Sequence, residues 1–291
     1  MILETLHTTT YSYSEPVSLC YTEVRLKPRG HEGQRLLAHH LAVEPEPSSI
    51  TIRRDFFGND VSTLTIDEPH TELYIAASSM VDMGGATVID PALTPPWEQV
   101  RDTVRECRTD EAFAAFQFTL ESPRVPLDKS FAQYAAVSFE PNRPILECAI
   151  DLCDRIFKGF QYDREATTVT TTTGQTLRNR RGVCQDFAHV MIASLRVLGL
   201  PARYISGYLR TGGDSLGAHA SHAWVAVYCG GSDWLELDPT NNVRPSTGHV
   251  TLAWGRDYSD VPPVKGVALG GGQQSIAVAV RVAPPRPGAT D

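Results

Sequence analysis

The sequence predicts an α+β protein: an N-terminal antiparallel β-domain over residues 1–88, then a mixed catalytic-type core over 89–291. Three observations carry this. Short runs rich in Thr, Tyr, Val and Leu recur up to residue 83, parted by turn residues. Near Asp90 the pattern breaks at Pro91, Pro95 and Pro96, and apolar residues then recur at steps of three and four. Beyond residue 200 alternating runs return.

In chain order, residues 8–13 and 20–27 read as two strands joined by a Glu15-Pro16 connector. Residues 36–45, 49–57, 61–69 and 71–83 continue the β-domain, with a turn at Gly58-Asn59-Asp60. His39 and His40 fall on opposite faces of their strand and make no ligand pair. Residues 97–118 read as one helix with Val100, Val104 and Cys107 in step, and 129–138 as a second. Residues 144–157 form a third, with Pro144 suited to a first turn and Gly159 ending it. The threonine-rich stretch up to Leu177 reads as an extended lead-in, because Thr is β-branched.

Residues 181–200, RGVCQDFAHVMIASLRVLGL, organise the chain. Cys184, Phe187 or Ala188, Met191, Leu195 and Leu198 share one helical face, and Gly199 and Pro201 stop the helix. Cys184 therefore sits at the start of a buried helix, where unpaired N–H groups and the positive dipole end favour a thiolate. A buried cysteine is ordinarily an inert small core residue. The segments downstream of the helix tip the balance. A strand at 202–209 leads through a glycine-rich loop, 211–220, to two more strands at 221–229 and 234–240. His222 heads the first and Asp238 ends the second, so a hairpin sets the carboxylate beside the imidazole. Nucleophile, base and orienting carboxylate are the parts of a cysteine triad: Cys184, His222, Asp238. His189 lies about 140° round the helix from Cys184 and is not the base.

GVCQDFAH, SHAW and LDPTN resemble the transglutaminase-like superfamily in its bacterial branch of cysteine proteases and acyltransferases. FFGND at 56–60 resembles that branch's N-terminal β-region, and GRDYSDVPPVKGV at 255–267 the segment after its catalytic hairpin. The resemblance implies a papain-like core working through a thioester, hydrolysing amides or transferring acyl groups, with no cofactor. It implies protein or peptide substrates, including attack at Gln side chains. Cross-linking of protein glutamines, and a non-catalytic binding protein that keeps the fold, are the alternatives. The Cys184 backbone N–H is one expected oxyanion donor; Tyr162 and Gln175 are candidates for the second. Trp224, two residues after His222, shares its strand face and is placed to wall the site, and Asp186 to orient the helix start or bind substrate. The loop at 211–220 is either a gate or a surface connector.

A net charge of −8 with no Lys/Arg stripe excludes a nucleic-acid surface; RNRR at 178–181 solvates the turn before Cys184. No stretch approaches a membrane span and no signal peptide is read at the N-terminus, so a cytoplasmic protein is expected. Six cysteines without a paired framework fit a reducing compartment. His219 and His222 lack a second ligand pair, so no metal is expected. Residues 241–270 read as irregular, and 275–282 as a strand pairing back onto the N-terminal sheet. Oligomeric state is not legible.

Overall fold

The computed structural model describes residues 1–85, 89–165, 171–210 and 220–285. The chain begins with β1 (Ile2–Val24), β2 (Gln34–Glu44), β3 (Ser49–Arg54), β4 (Asp60–Ile66) and β5 (His70–Met83). Five helices precede the thiol helix: α1 (Trp97–Glu106), α2 (Asp110–Phe116), α3 (Lys129–Ala135), α4 (Ile145–Gly159) and α5 (Thr173–Asn179). Two short strands, β6 (Gln161–Tyr162) and β7 (Arg181–Gly182), flank α5 and pair in parallel. Then come α6 (Cys184–Arg196), β8 (Ala202–Leu209), β9 (His222–Gly230), β10 (Asp233–Leu237), β11 (His249–Gly255), β12 (Val264–Gly270) and β13 (Gln274–Ala283). The architecture is α+β, with helices packed on the second of two antiparallel sheets. No helix among the described residues is long and apolar enough to cross a membrane.

The first sheet has the order β2-β5-β1-β4-β3, with β12 and β13 also pairing β1. The expected break at Glu15-Pro16 is corrected: β1 runs through it, absorbing the proline where its register on β5 shifts between Ser12 and Val17. β13 pairs antiparallel with β1 from Glu4↔Ala283 to Tyr13↔Gln274, bringing the first and last described strands into one sheet. The second sheet has the order β10-β9-β8-β11. Here too the sequence reading is corrected, because residues 241–270 carry β11 and β12 rather than an irregular connection.

The helical region departs in two places. The single helix expected over 97–118 is two helices, since Cys107 turns left-handed (φ 49°) and Thr109 caps a new start at Ala112 N–H. The end of the threonine-rich stretch is helical: Thr172 caps α5, its hydroxyl accepting from the Gln175 N–H while Gln175 Oε1 accepts from the Thr172 N–H at 2.8 Å. A capping pair overrides β-branched propensity. The central part of that stretch, residues 166–170, lies outside the described residues.

Helix α6 is buried nearly all round, with eleven of its residues inside the core. Ala223, Val225 and Val227 of β9 join that core, while Trp224 and Ala226 pack with Ile205 on the other face of the sheet. Buried Arg196 fixes the helix end, donating to the carbonyls of Leu120, Ala202 and Arg256 and to Ser122 Oγ. The first sheet covers the open edge of β11 with two buried amides. Gln34 bonds both the N–H and the C=O of Thr251, and Asn59 does the same for Trp254. Asn59 is the Asn of FFGND; Asp55 Oδ1 accepts its N–H and that of Phe57, shaping the turn. That motif locks the first sheet to the second, closing a sheet edge that would otherwise offer unpaired groups.

Candidate active site

Cys184 is the first residue of α6, so its backbone N–H has no intrahelical acceptor. The Val183 N–H donates to Asp186 Oδ2 at 2.9 Å, which closes the helix start. The carboxylate lies over Gly182, where any added Cβ would come within 2.7 Å of Asp186 Oδ2.

His222 opens β9 opposite Gly207 of β8. Its Nε2 donates to Asp238 Oδ2 at 2.9 Å, and both side chains are wholly buried. Nδ1 is buried with no hydrogen-bond partner among the described residues, and Cys184 is near enough for its charge to favour the protonated ring. Burial alone would lower the His222 pKa; the Cys184 charge and the Asp238 carboxylate overrule it and raise it to about 10. Cys184 keeps 8% of its surface exposed, more than His222 or Asp238.

Asp238 follows β10, where the chain turns through Pro239 and returns at Val243. Its Oδ1 accepts the Thr240 and Asn241 N–H groups, and its Oδ2 the Asn241 side-chain amide at 2.8 Å. Burial pushes this carboxyl upward, but hydrogen bonds from His222 and His249 hold it well below the usual carboxylate range. His249 is a member of the site that sequence reasoning misses. It heads β11 and places Nε2 at 3.3 Å from the same Oδ2 that holds His222. The alternation of HVTLAWG at 249–255 is a signal for the strand, but a loop-like composition on either side masks it.

Trp224 lies where its strand parity places it. Its ring stacks on His222 with centroids 6.1 Å apart, and its indole N–H donates to Glu236 Oε2 at 2.7 Å. Gly207 makes this possible: a Cβ there would sit 2.3 Å from the Trp224 ring and from Val250 O. Tyr162 pairs with Gly182 beside the thiol helix and packs edge-on against Phe187. Burial and, less, the Cys184 charge raise its pKa against the lowering effect of the Arg164 guanidinium, which its hydroxyl meets. Gln175 spends its side-chain oxygen on the α5 cap, and no described contact joins it to Cys184. His189 stacks on Tyr204 and accepts the Tyr258 N–H, apart from the His222–Asp238 pair. His219 and the rest of the loop at 211–219 lie outside the described residues.

Residues 3–82 match the bacterial transglutaminase-like N-terminal region, and residues 133–239, which contain Cys184, His222 and Asp238, match the transglutaminase-like superfamily. The chain belongs to the transglutaminase-like superfamily. An uncharacterized protein of Mycobacterium tuberculosis is 38% identical, the alignment covering 96% of this chain and 91% of that protein. One from Mycobacterium leprae is 30% identical over 96% and 98%. Among solved structures, a Cytophaga hutchinsonii protein proposed to be a cysteine protease superposes with a TM-score of 0.76 at 25% identity, covering 97% of this chain and 90% of that one. Superfamily membership accounts for the α+β architecture.

Proposed function

We propose that this chain is a thiol-dependent amide hydrolase, with Cys184 as nucleophile, His222 as acid and base, and Asp238 as the carboxylate that orients His222. The carrying observation is the His222 ring, fixed through Nε2 on buried Asp238 with Nδ1 buried and unpartnered among the described residues, within the electrostatic influence of Cys184. With its pKa raised to about 10, the imidazole is protonated at neutral pH and poised to give its proton to a leaving amine. The Cys184 sulfur attacks an amide carbonyl and forms a tetrahedral oxyanion. The orphan N–H of Cys184 is one donor to it, and the Tyr162 hydroxyl, on the strand that pairs with Gly182 and against Phe187 of the thiol helix, is the candidate for the second. Collapse expels the amine, protonated by His222, and leaves a thioester that water, deprotonated by His222, resolves. The likeness to the Cytophaga protein over nearly the whole chain supports hydrolysis of proteins or peptides.

One observation favours acyl transfer to an amine instead. A stretch of 72 residues is 39% identical to a protein-glutamine gamma-glutamyltransferase of Pseudomonas aeruginosa, although it spans 11% of that protein. The test incubates wild type and Cys184→Ala with a Gln-containing peptide, with and without a primary amine, following ammonia, cleavage and amine incorporation. Cys184-dependent product without added amine establishes the hydrolase. Ammonia released only with the amine establishes the transferase. Neither product across a peptide library, from folded protein, overturns the proposal.

A further inference from the structure

A cavity of about 660 Å³ lies between the N-terminal domain and the face of the second sheet turned away from α6. That volume suits a ligand the size of a short peptide. His31 and Met83–Gly85 bound it on one side; Arg203, Trp234, Glu236, His249 and Trp254 bound it on the other. Cys184 does not line it.

One wall, the sheet face on which Arg203 of β8 and Glu236 of β10 flank Ala226 of β9, carries partly buried charges of opposite sign that form no ion pair among the described residues. The Arg203 guanidinium lies 3.6 Å from the Trp234 ring centroid and 5.0 Å from that of Trp254. Among the described residues it forms no ion pair, and its Nε is buried without a hydrogen-bond partner. Burial pulls its pKa down to about 9, with Arg29 adding to that and Glu236 opposing it. Glu236 accepts the Trp224 indole N–H but meets no cation within ion-pair distance among the described residues, and burial raises its pKa. Arg29, on Trp254, is already committed to Phe57 O and Asn59 Oδ1, and Arg244 to Ile89 O. A partly buried guanidinium and a partly buried carboxylate on one wall of a cavity, without an ion pair among the described residues, are a costly arrangement. They match a ligand that brings a carboxylate for the first and an ammonium for the second, with an apolar body against the two indoles.

We propose that this cavity is a binding site for a short zwitterionic peptide, whose carboxylate pairs with Arg203 and whose α-ammonium pairs with Glu236. The proposal stands apart from the chemistry at Cys184. His249 lines the cavity and also touches Asp238, so the bound peptide lies one side chain from the His222–Asp238 pair.

The test uses the full chain carrying Cys184→Ala, so that no thiol chemistry consumes the probe. Isothermal titration compares the dipeptide alanyl-phenylalanine with its N-acetyl derivative, which lacks the ammonium, and its C-terminal amide, which lacks the carboxylate. The dipeptide is expected to bind and each derivative to lose about tenfold or more, the scale of one desolvated charge contact. Adding Arg203→Gln should erase the difference between dipeptide and amide, and Glu236→Gln that between dipeptide and N-acetyl form. Should either variant fail to fold, the three-ligand comparison on the parent protein decides. Equal binding of all three ligands, or no heat with the dipeptide at about 10 mM, overturns the site.

Discussion

Replacing Asp238 by Asn keeps the shape of the side chain and removes the charge on which three donors converge. His222 Nε2, Asn241 Nδ2 and His249 Nε2 approach Oδ2 at 2.9, 2.8 and 3.3 Å. The substitution can leave Oδ1 to the Thr240 and Asn241 N–H groups, but it sets an NH2 group against those three donors. Hydrogen bonds to a charged group contribute about 1.5–3 kcal/mol each, so three independent ones would sum to about 5–9 kcal/mol. They share one atom and the site can relax, so the cost of breaking a buried ionic partner, about 3–5 kcal/mol, is the expected loss. Urea unfolding at pH 7 measures it. The pH dependence has a definite sign. Asp238 is depressed in the folded state, so its contribution is present above the unfolded carboxyl pKa of about 3.9 and fades as pH falls below it. The gap between wild type and Asp238→Asn is therefore constant from about pH 5 to 7 and narrows toward pH 3. Iodoacetamide labelling of Cys184 at pH 6 is expected to slow by about tenfold or more, because the imidazolium beside the sulfur loses its counter-charge. A stability loss under about 1 kcal/mol, together with unchanged labelling, refutes the buried His-Asp assignment.

Gly207→Ala drives a Cβ into the Trp224 ring and the Val250 carbonyl, and a cost of about 1–3 kcal/mol with altered tryptophan fluorescence is expected. Arg196→Met leaves three carbonyls and the Ser122 hydroxyl without their donor at the end of the thiol helix; thermal unfolding should show a loss of at least about 3 kcal/mol. A chain ending at Gln273 strips β13 from residues 4–13 of β1 and exposes a long strand edge; aggregation, read by size-exclusion chromatography, is the expected outcome. Asn59→Ala unlocks β11 from the N-terminal domain, and faster amide hydrogen exchange at Trp254 than at Val225 reports it.

Sequence alone determined the parts of this protein that depend on local pattern. Helical spacing after Cys184, alternation in the β9 and β10 strands and the turn at Asp238-Pro239 located a thiol, an imidazole and a carboxylate, since each follows from the period of its own element. The same periodicity found β2 to β5 and α4. Where the reading erred, a neighbour outweighed the local signal. Pro16 sits inside β1 because β5 and β12 hold the strand on either side of a register shift, and Thr172–Gln175 became a cap because side-chain oxygens found orphan N–H groups. Tertiary structure decided the rest. His249 reaches Asp238 from a strand 11 residues away, Asn59 seals a backbone edge 195 residues distant, and Arg203 and Glu236 come to flank Ala226 on one cavity wall without an ion pair among the described residues. Such contacts have no period in the chain. They arise when elements of high sequence separation meet and buried polar groups, cut off from water, must bond to whatever partner the packing brings.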